Sequence, residues 1–276
     1  MTEAFVDTET DRTKSRWVAR VYHDFEAEFG RSRTTQRSLF YYALRRKASD
    51  YPICGGFVGE IRITRPYHES DGERLSKWVG RARRLGFIPA DAIFDEAPVE
   101  QILPPRVPRQ EPNSIEVWLN KSSFNQLLHP VCEKHGATLV SVQERASKVA
   151  IESLNQRCDR AGTDRSTIIL CLSDLSPVNV PFCEDLAAKI AESGPSHRDI
   201  KVKRIGLGPE QVVDLRIPMV RAADGSKEER DRFKGYLKPY PLDSKRMAEL
   251  DALEVYYPGG IVGFLDESLS KYAGEL

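Results

Sequence analysis

An alternation of apolar and amphipathic segments in the second half of the chain constrains the fold more than any other feature of the sequence. The apolar runs are short enough to be single strands, and segments with helical spacing of apolar residues separate them. The runs are SIEVWLN, ATLVSVQ, STIILCLSD and IKVKRIGL. This β-α-β-α-β-α-β order predicts an α/β fold with a mostly parallel sheet and helices on both faces. Functional residues in such sheets collect at the carboxyl ends of strands, here residues 118–121 and 172–177.

A proline-rich segment precedes the first of these strands. Residues 97–114 contain five prolines among polar residues. Because proline fixes φ and lacks an N–H donor, we expect neither a regular helix nor a central strand there. The segment is therefore predicted to be a linker between an N-terminal domain, residues 1–96, and a C-terminal domain, residues 115–276.

The N-terminal domain is predicted to be a small α+β unit. Apolar residues recur at helical spacing in residues 16–29, 35–47 and 73–85, and residues 57–63 alternate like a strand. Three short helices with a little strand are compatible with a winged-helix-like fold, which commonly binds DNA.

Charge is segregated in this domain although the whole chain is neutral, with 41 basic and 41 acidic residues. Residues 31–47 contain six basic and no acidic side chains, and residues 74–84 contain five basic and none acidic. These runs either face the phosphates of DNA or form ordinary solvated helix faces. In the first case the phosphate contacts would come from Arg33, Arg37, Arg45, Arg46, Arg81, Arg83 and Arg84.

Several classes of protein are excluded by simpler features. The five cysteines include no CxxC pair, which excludes a zinc ribbon and disfavours a secreted disulfide scaffold. Cys171 lies in an apolar strand and is interpreted as a core residue. The N-terminal segment is polar, unlike a secretion signal, and no apolar run approaches the roughly 18 residues of a membrane-spanning helix. We therefore expect a reduced, cytoplasmic protein that does not span a membrane.

Two segments resemble the halves of a Toprim domain, the Rossmann-like domain of topoisomerases, primases and related nucleases. They are IEVWLNKSSF and, about 50 residues later, IILCLSDLSPVNV. Further similarity to relatives of the A subunit of type IIB topoisomerases, in which a winged-helix domain precedes the Toprim domain, lies in QRSLFYYAL, RLSKWVGRARRLGFIPADAI, GPEQVVDLRIP and ELDAL. The resemblance implies a DNA partner, Mg²⁺ as the cofactor of an active enzyme, and a homodimer or a partner subunit.

The acidic motifs of that family are incomplete in this chain. The first Toprim strand normally ends in a glutamate and a later one in Asp-x-Asp; here the three positions hold Asn120, Asp174 and Ser176. Mg²⁺ prefers carboxylate oxygens, and an amide cannot exchange a proton near neutral pH. We therefore expect phosphodiester chemistry to be lost or severely weakened, with Asp174 as a remnant metal ligand or a structural cap. The neighbouring Lys121 could contact a phosphate or be an ordinary exposed lysine.

A tyrosine and other carboxylates leave an active enzyme open as an alternative. The resemblance implies a nucleophilic tyrosine four residues after an arginine, a spacing that Arg37 and Tyr41 match, although Tyr41 also fits a helix that packs into the core. Glu116 lies about 13 Å from Asn120 along the strand, and Glu184 and Asp185 lie on the helix after the Asp174 loop, beyond direct reach of a metal ion there. The C-terminal Asp214, Asp224 and Asp251 could approach the edge of the sheet, but no local spacing shows that they do.

The sequence therefore favours a DNA-binding protein derived from a Toprim nuclease or topoisomerase-like ancestor, and leans away from an enzyme. One alternative is an active Mg²⁺-dependent enzyme that cleaves DNA, with Asp174 in its active site and either with or without Tyr41 as the nucleophile. Another is a non-catalytic subunit that binds proteins. The polar residues 219–238 are predicted to form a mobile loop.

Overall fold

The computed structural model describes residues 8–47, 49–58, 61–97, 99–108, 113–143, 146–161, 166–193, 199–222 and 225–274. Their contacts divide the chain into two compact units, Met1–Phe94 and Asp95–Leu276. The division lies close to residue 96, the predicted end of the N-terminal domain, and each unit has its own buried residues.

The first unit contains three helices and a hairpin. In chain order its elements are α1 (Glu9–Phe29), α2 (Gln36–Arg45), β1 (Ile53–Val58), β2 (Ile61–Arg65) and α3 (Gly72–Arg84). Strands β1 and β2 pair antiparallel, so the single strand predicted at residues 57–63 is in fact part of a hairpin. Helix α1 begins earlier than predicted because the Thr8 side chain caps it by accepting the N–H of Asp11.

The second unit is built on the predicted sheet. Its first elements are β3 (Gln101–Leu103), β4 (Asn113–Leu119), α4 (Asn125–Lys134), β5 (Thr138–Ser141), α5 (Lys148–Ala161), β6 (Ser166–Leu172), α6 (Phe182–Ser193) and β7 (Ile200–Gly206). Within the described ranges, one five-stranded sheet has the order β3-β5-β4-β6-β7. Strands β4 to β7 pair parallel and β3 pairs antiparallel with β5, so the mostly parallel α/β class is confirmed.

Strand β3 lies inside the segment predicted to be a linker. It pairs with β5 at the edge of the sheet, so residues 101–103 belong to the second unit. The prolines that follow it exclude a central strand but not a short edge strand, because an edge strand needs only one row of backbone hydrogen bonds.

The remaining elements of the second unit follow β7, and part of this segment contacts the residues that follow β6. Its elements are α7 (Pro209–Asp214), β8 (Val220–Arg221), α8 (Lys227–Leu237), β9 (Arg246–Met247), α9 (Leu253–Tyr256) and α10 (Gly260–Gly274). The mobile loop predicted at residues 219–238 is wrong, because most of it is helix α8. The Ser226 hydroxyl accepts the N–H of Glu229, whose side chain in turn accepts the N–H of Ser226, and this reciprocal cap starts the helix.

The described helices include none with the length and apolar character needed to cross a membrane.

Candidate functional site

The carboxyl ends of β4 and β6 form the floor of a cleft in the second unit. Leu119 at the end of β4 is paired with Leu172 at the end of β6, so the residues that follow the two strands are neighbours. The cleft has a volume of about 590 Å³, and its lining includes Asn120, Asp174 and Ser176. The structure thus brings together the three positions that the sequence predicted to correspond to the Toprim acidic motifs.

Asp174 binds the C-terminal segment of the chain at the carboxyl ends of β4 and β6. Its Oδ1 accepts the backbone N–H of Leu250 at 2.8 Å, and the neighbouring Leu175 and Ala248 exchange two backbone hydrogen bonds of 2.9 and 3.0 Å. These contacts carry Glu249 and Asp251 to the cleft. Asp174 therefore has the capping role that the sequence left open for it.

Lys121 lies between two of the resulting carboxylates. Its Nζ is 2.6 Å from Oδ2 of Asp251 and 3.3 Å from Oδ2 of Asp174, and both aspartates are buried. Only 17% of the Lys121 side chain is exposed, so the ammonium faces carboxylates and not solvent. The role predicted for Lys121 as a phosphate contact conflicts with this position, and so does that of an ordinary exposed lysine.

The donor set does not fit a magnesium ion. A cation already stands between Asp174 and Asp251, and Ser176 Oγ accepts the N–H of Asn179 at 3.2 Å. The amide nitrogen of Asn120 donates to Oδ1 of Asn179 at 2.9 Å, so both residues hold the loop after β6. Among the described residues, no group of three or more His, Cys, Asp and Glu side chains is arranged to hold a metal ion. The arrangement has the character of a buried ion-pair network.

Burial and the neighbouring charges shift the pKa values of this network. The pKa of Asp174 is raised to about 6: burial has the largest effect and raises it, Lys121 and the Leu250 N–H lower it, and Glu249 and Asp251 raise it. Burial alone would lower the pKa of Lys121, but the carboxylates of Asp174, Asp251 and Glu249 outweigh it and raise that pKa. Lys121 therefore stays charged, and Asp174 is the group that titrates in mildly acidic solution.

We expect the Asp174→Asn substitution to change the pH dependence of stability. The pKa of Asp174 is higher in the folded chain than in the unfolded chain, so the folded state binds the proton more tightly. The free energy of unfolding of the wild type, relative to Asp174→Asn, then falls as the pH rises from about 4 to about 7, by up to roughly 3 kcal/mol. Urea unfolding of both proteins across this range measures the difference.

Asp71 supplies the control for that experiment. It is equally buried, but hydrogen bonds from Arg65 overcome the effect of burial and hold its pKa below the usual value. Asp71 is therefore ionised in both states above about pH 5, and the difference between wild type and Asp71→Asn is flat from there to pH 7. An equally flat difference for Asp174→Asn would contradict the raised pKa of Asp174.

Glu116 forms hydrogen bonds away from the Asp174 cleft. Its carboxylate accepts hydrogen bonds from Arg157 Nε at 2.7 Å, Arg157 Nη2 at 2.8 Å and Trp118 Nε1 at 2.8 Å. It lines a separate cleft, together with Ser114 and Thr138 near the amino ends of β4 and β5. Glu116 is thus not a substitute ligand in the Asp174 cleft.

Tyr41, the tyrosine implied as a nucleophile, has no exposed surface. Its side chain is 0% exposed, and its ring packs edge-on against Phe40. The adjacent Tyr42 is also buried; its hydroxyl donates to Glu28 Oε2 at 3.0 Å and accepts from Arg46. A buried phenol cannot reach a DNA phosphate, so this conformation corresponds to the core position that the sequence also allowed for Tyr41.

Most of the arginines predicted to contact DNA hold the first unit together. Arg45 and Arg46 pair with Glu28, and Arg81 pairs with the buried Asp11. The others engage the backbone or aromatic rings: Arg33 Nε donates to Asp91 O at 3.0 Å, Arg83 Nε donates to Ala90 O at 2.7 Å, and the Arg37 guanidinium lies 3.9 Å from the centre of the Phe40 ring. These contacts reduce the number of arginine side chains in the two basic runs that can bind a phosphate.

Helix α3 nevertheless presents an exposed basic face. Its buried residues are Leu75, Trp78, Val79 and Ala82. Arg74, Lys77 and Arg84 are exposed, and their spacing of three and seven residues puts them on one side of the helix. A count of the charges in this run does not separate the faces of the helix, so the predicted phosphate contacts did not include Arg74 and Lys77. Helical periodicity was the signal that could have identified them.

The amino-acid sequence matches no protein-family model, and no curated protein is similar to it.

Proposed function

We propose that the chain is a DNA-binding protein, derived from a Toprim nuclease or topoisomerase-like ancestor, in which phosphodiester chemistry has been lost. The position of Lys121 is the observation that carries the proposal. Its ammonium contacts both Asp174 and Asp251, the carboxylates that a divalent ion in the cleft would need as ligands. A pocket with its own cation and with Asn120 in place of a glutamate lacks the ligands and the proton-transfer group that metal-dependent cleavage uses.

The exposed face of α3 supports contact with DNA. Three side chains there carry positive charge, and Arg74 is 67% exposed with its nearest carboxylate, Asp71, at 3.9 Å. That carboxylate is already bound by Arg65 at 2.6 and 2.7 Å. Arg74 is therefore only weakly neutralised and can reach a phosphate. The helices and the hairpin of the first unit are compatible with the winged-helix-like domain that the sequence predicted.

We expect the triple variant Arg74→Gln, Lys77→Gln, Arg84→Gln to bind duplex DNA more weakly than the wild type. Each phosphate contact that is lost removes about one released counterion, so the slope of log K against log salt concentration becomes shallower by about 3. The affinity at low salt falls on the order of 10- to 100-fold. Fluorescence anisotropy with a labelled duplex at several salt concentrations measures both quantities.

A matched control removes three exposed cations from the second unit. Arg106, Lys148 and Lys201 have side chains that are 91%, 89% and 57% exposed, so their replacement by Gln changes the net charge equally. The proposal requires the control to retain the affinity and the salt slope of the wild type. Equal losses in both variants would indicate an attraction without a defined site, and no loss in either would remove α3 from the interface.

The active-enzyme alternative predicts a different result with supercoiled plasmid. Under the proposal, the wild type does not nick plasmid with Mg²⁺ or Mn²⁺. Nicking that disappears in Asp174→Ala would overturn the loss of chemistry, and a covalent adduct with DNA that is lost in Tyr41→Phe would indicate a topoisomerase-like route. Either result would require Lys121 or Tyr41 to leave its buried position.

A protein-binding subunit is the second alternative, and the β1–β2 hairpin favours it. Val58, Ile61 and Ile63 are 64%, 71% and 44% exposed, although β-branched apolar residues are usually buried. Exposed apolar strands can bind another protein. If the α3 variant and the wild type both fail to bind DNA, this alternative gains support.

A further inference from the structure

Helix α3 contains two glycines, and packing explains only one of them. A Cβ at Gly72 would lie 2.8 Å from Cε2 of Phe40, so the contact between α2 and α3 needs a glycine there. In the part of the chain that the structure describes, a Cβ at Gly80 would meet no atom within 4 Å apart from its chain neighbours and the helix backbone. Gly80 is exposed, and its backbone does not have the positive φ that favours glycine. The described fold therefore gives no reason for a glycine at position 80.

Glycine at an exposed position inside a helix destabilises the fold. Gly80 lies four residues before the last residue of α3, so it is within the helix and not at its cap. After proline, glycine is the least favourable residue at such a position, because it loses the most backbone freedom on folding. A glycine without a packing role is expected where another molecule comes close to the helix backbone.

The charges around Gly80 indicate that this molecule is an anion. Lys77 lies three residues before Gly80 and Arg84 four residues after it, so both are its neighbours on the helix surface, and both are exposed. The one acidic residue of α3, Glu73, is in the first turn, seven residues before Gly80. Lys77 and Arg84 are about 10 Å apart along the helix axis. Two cations at this separation, with bare backbone between them, fit a chain of phosphates better than a single small anion.

We infer that the sugar–phosphate backbone of duplex DNA lies directly against α3 at Gly80, between Lys77 and Arg84. The inference rests on the proposed DNA binding and adds the point at which the helix backbone meets the duplex. Because position 80 has no side chain, the phosphates come close enough for Lys77 and Arg84 to donate to them from both sides. Contacts with phosphates and sugars carry no base sequence, so this contact contributes to affinity and not to sequence preference.

Adding a side chain at position 80 tests the contact. We expect Gly80→Ala and Gly80→Gln to raise the melting temperature by about 1–4 °C, because both new residues favour a helix. The same variants are expected to bind duplex DNA more weakly. The loss is expected to be small for alanine and on the order of tenfold for glutamine, whose side chain holds the duplex away from the helix. Thermal unfolding and fluorescence anisotropy measure the two effects, and a variant that is more stable than the wild type does not bind weakly because of damaged folding.

Gly235 provides the matched control in the second unit. It is exposed on helix α8, and a Cβ there would also meet no atom within 4 Å apart from its chain neighbours and the helix backbone. Its surface neighbours one turn earlier, Asp231 and Arg232, have opposite charges, and Arg232 pairs with Glu184 at 3.4 Å. We expect Gly235→Gln to raise the melting temperature like Gly80→Gln and to leave the affinity for DNA unchanged.

The dependence on salt and on DNA sequence separates this contact from a loss of charge. Gly80→Gln keeps Lys77 and Arg84, so the slope of log K against log salt concentration should change by less than about 1, compared with about 3 for the triple variant. The loss of affinity should be the same for two duplexes of unrelated sequence.

The variants also distinguish failure of this inference from failure of the proposed function. If the wild type binds no duplex, both fail. If the wild type binds and the triple variant of Arg74, Lys77 and Arg84 binds more weakly, but Gly80→Gln binds as tightly as the wild type, only the inference fails. An equal loss in Gly235→Gln, or a loss confined to one duplex sequence, would also overturn it. So would a lower melting temperature of Gly80→Ala, because the fold itself would then need the glycine.

Discussion

Replacing Lys121 by Ala is expected to lower the free energy of unfolding by about 3–5 kcal/mol. Asp251 is 2% exposed and Asp174 is 6% exposed, and the Lys121 ammonium is the cation that lies against both. Without it, the buried carboxylates of Asp174 and Asp251 lose the ammonium that lies against both, and Asp174 must take up a proton or remain charged in a buried position. Urea unfolding near neutral pH, followed by tryptophan fluorescence, measures the loss.

Two further variants separate the network from the general effect of removing a lysine. Lys148 is 89% exposed, so Lys148→Ala is expected to change the free energy of unfolding by less than about 0.5 kcal/mol. Adding Asp251→Asn to Lys121→Ala removes the charge of one carboxylate that the ammonium contacted and is expected to restore at least about 1 kcal/mol. A Lys121→Ala variant as stable as the wild type would show that the ammonium is not needed in the cleft.

Adding divalent ions tests whether the Lys121 ammonium occupies the position that a metal ion would take in the cleft. Once Lys121 is removed, Asp174 and Asp251 lose the ammonium that lies against both, and we expect millimolar Mn²⁺ to raise the melting temperature of Lys121→Ala. The wild type, whose ammonium fills that position, should show no such shift. If Mn²⁺ stabilises the wild type as much as the variant, Lys121 does not exclude the metal ion and the proposed loss of chemistry is undermined.

The sequence predicted the sheet and the position of the cleft because both depend on local patterns. Alternating strand and helix patterns determine a parallel sheet, and the carboxyl ends of neighbouring strands must meet at one edge. The sequence therefore predicted that Asn120 and Asp174 lie close together. The same local reasoning missed β3 and α8, although the reciprocal cap formed by Ser226 and Glu229 is visible in the sequence.

The partners of Lys121 could not be predicted because they depend on contacts between distant segments. Asp251 reaches the cleft only through the backbone hydrogen bonds of Leu175 with Ala248 and the cap that Asp174 gives to Leu250. These contacts join residues more than 70 positions apart, and no spacing in the sequence encodes them. The sequence around the pocket suggested a shortage of negative charge, whereas the structure places further carboxylates there and the Lys121 ammonium against two of them.

The same limit applies to the arginines of the first unit. A count of basic residues identifies a charged run, but it does not show which members pair with distant acids. Arg81 pairs with Asp11, 70 positions away, and Arg46 pairs with Glu28. The outer face of α3, where the Arg74 side chain is 67% exposed, therefore carries the proposed DNA contact.

Replacing Arg157 by Ala is expected to have an effect as large as that of Lys121→Ala. Glu116 is 4% exposed, and Arg157 supplies two of the hydrogen bonds to its carboxylate. Removal of one partner of a buried pair leaves an uncompensated charge, so the free energy of unfolding falls by about 3–5 kcal/mol. Arg157→Lys keeps the charge but cannot form the paired contact through two nitrogens, and we expect it to recover only part of the loss.

A double-mutant cycle with Glu116→Gln tests whether the pair acts as a unit. If it does, Arg157→Ala combined with Glu116→Gln is more stable than the sum of the single losses predicts, by about 1–3 kcal/mol. Additive losses would mean that Glu116 is stabilised by other groups, among them Trp118, whose Nε1 donates to it at 2.8 Å. Strong coupling would show that Glu116 stabilises the fold through its ion pair with Arg157. Any nicking activity that survives Glu116→Gln but not Asp174→Ala would then belong to the Asp174 cleft alone.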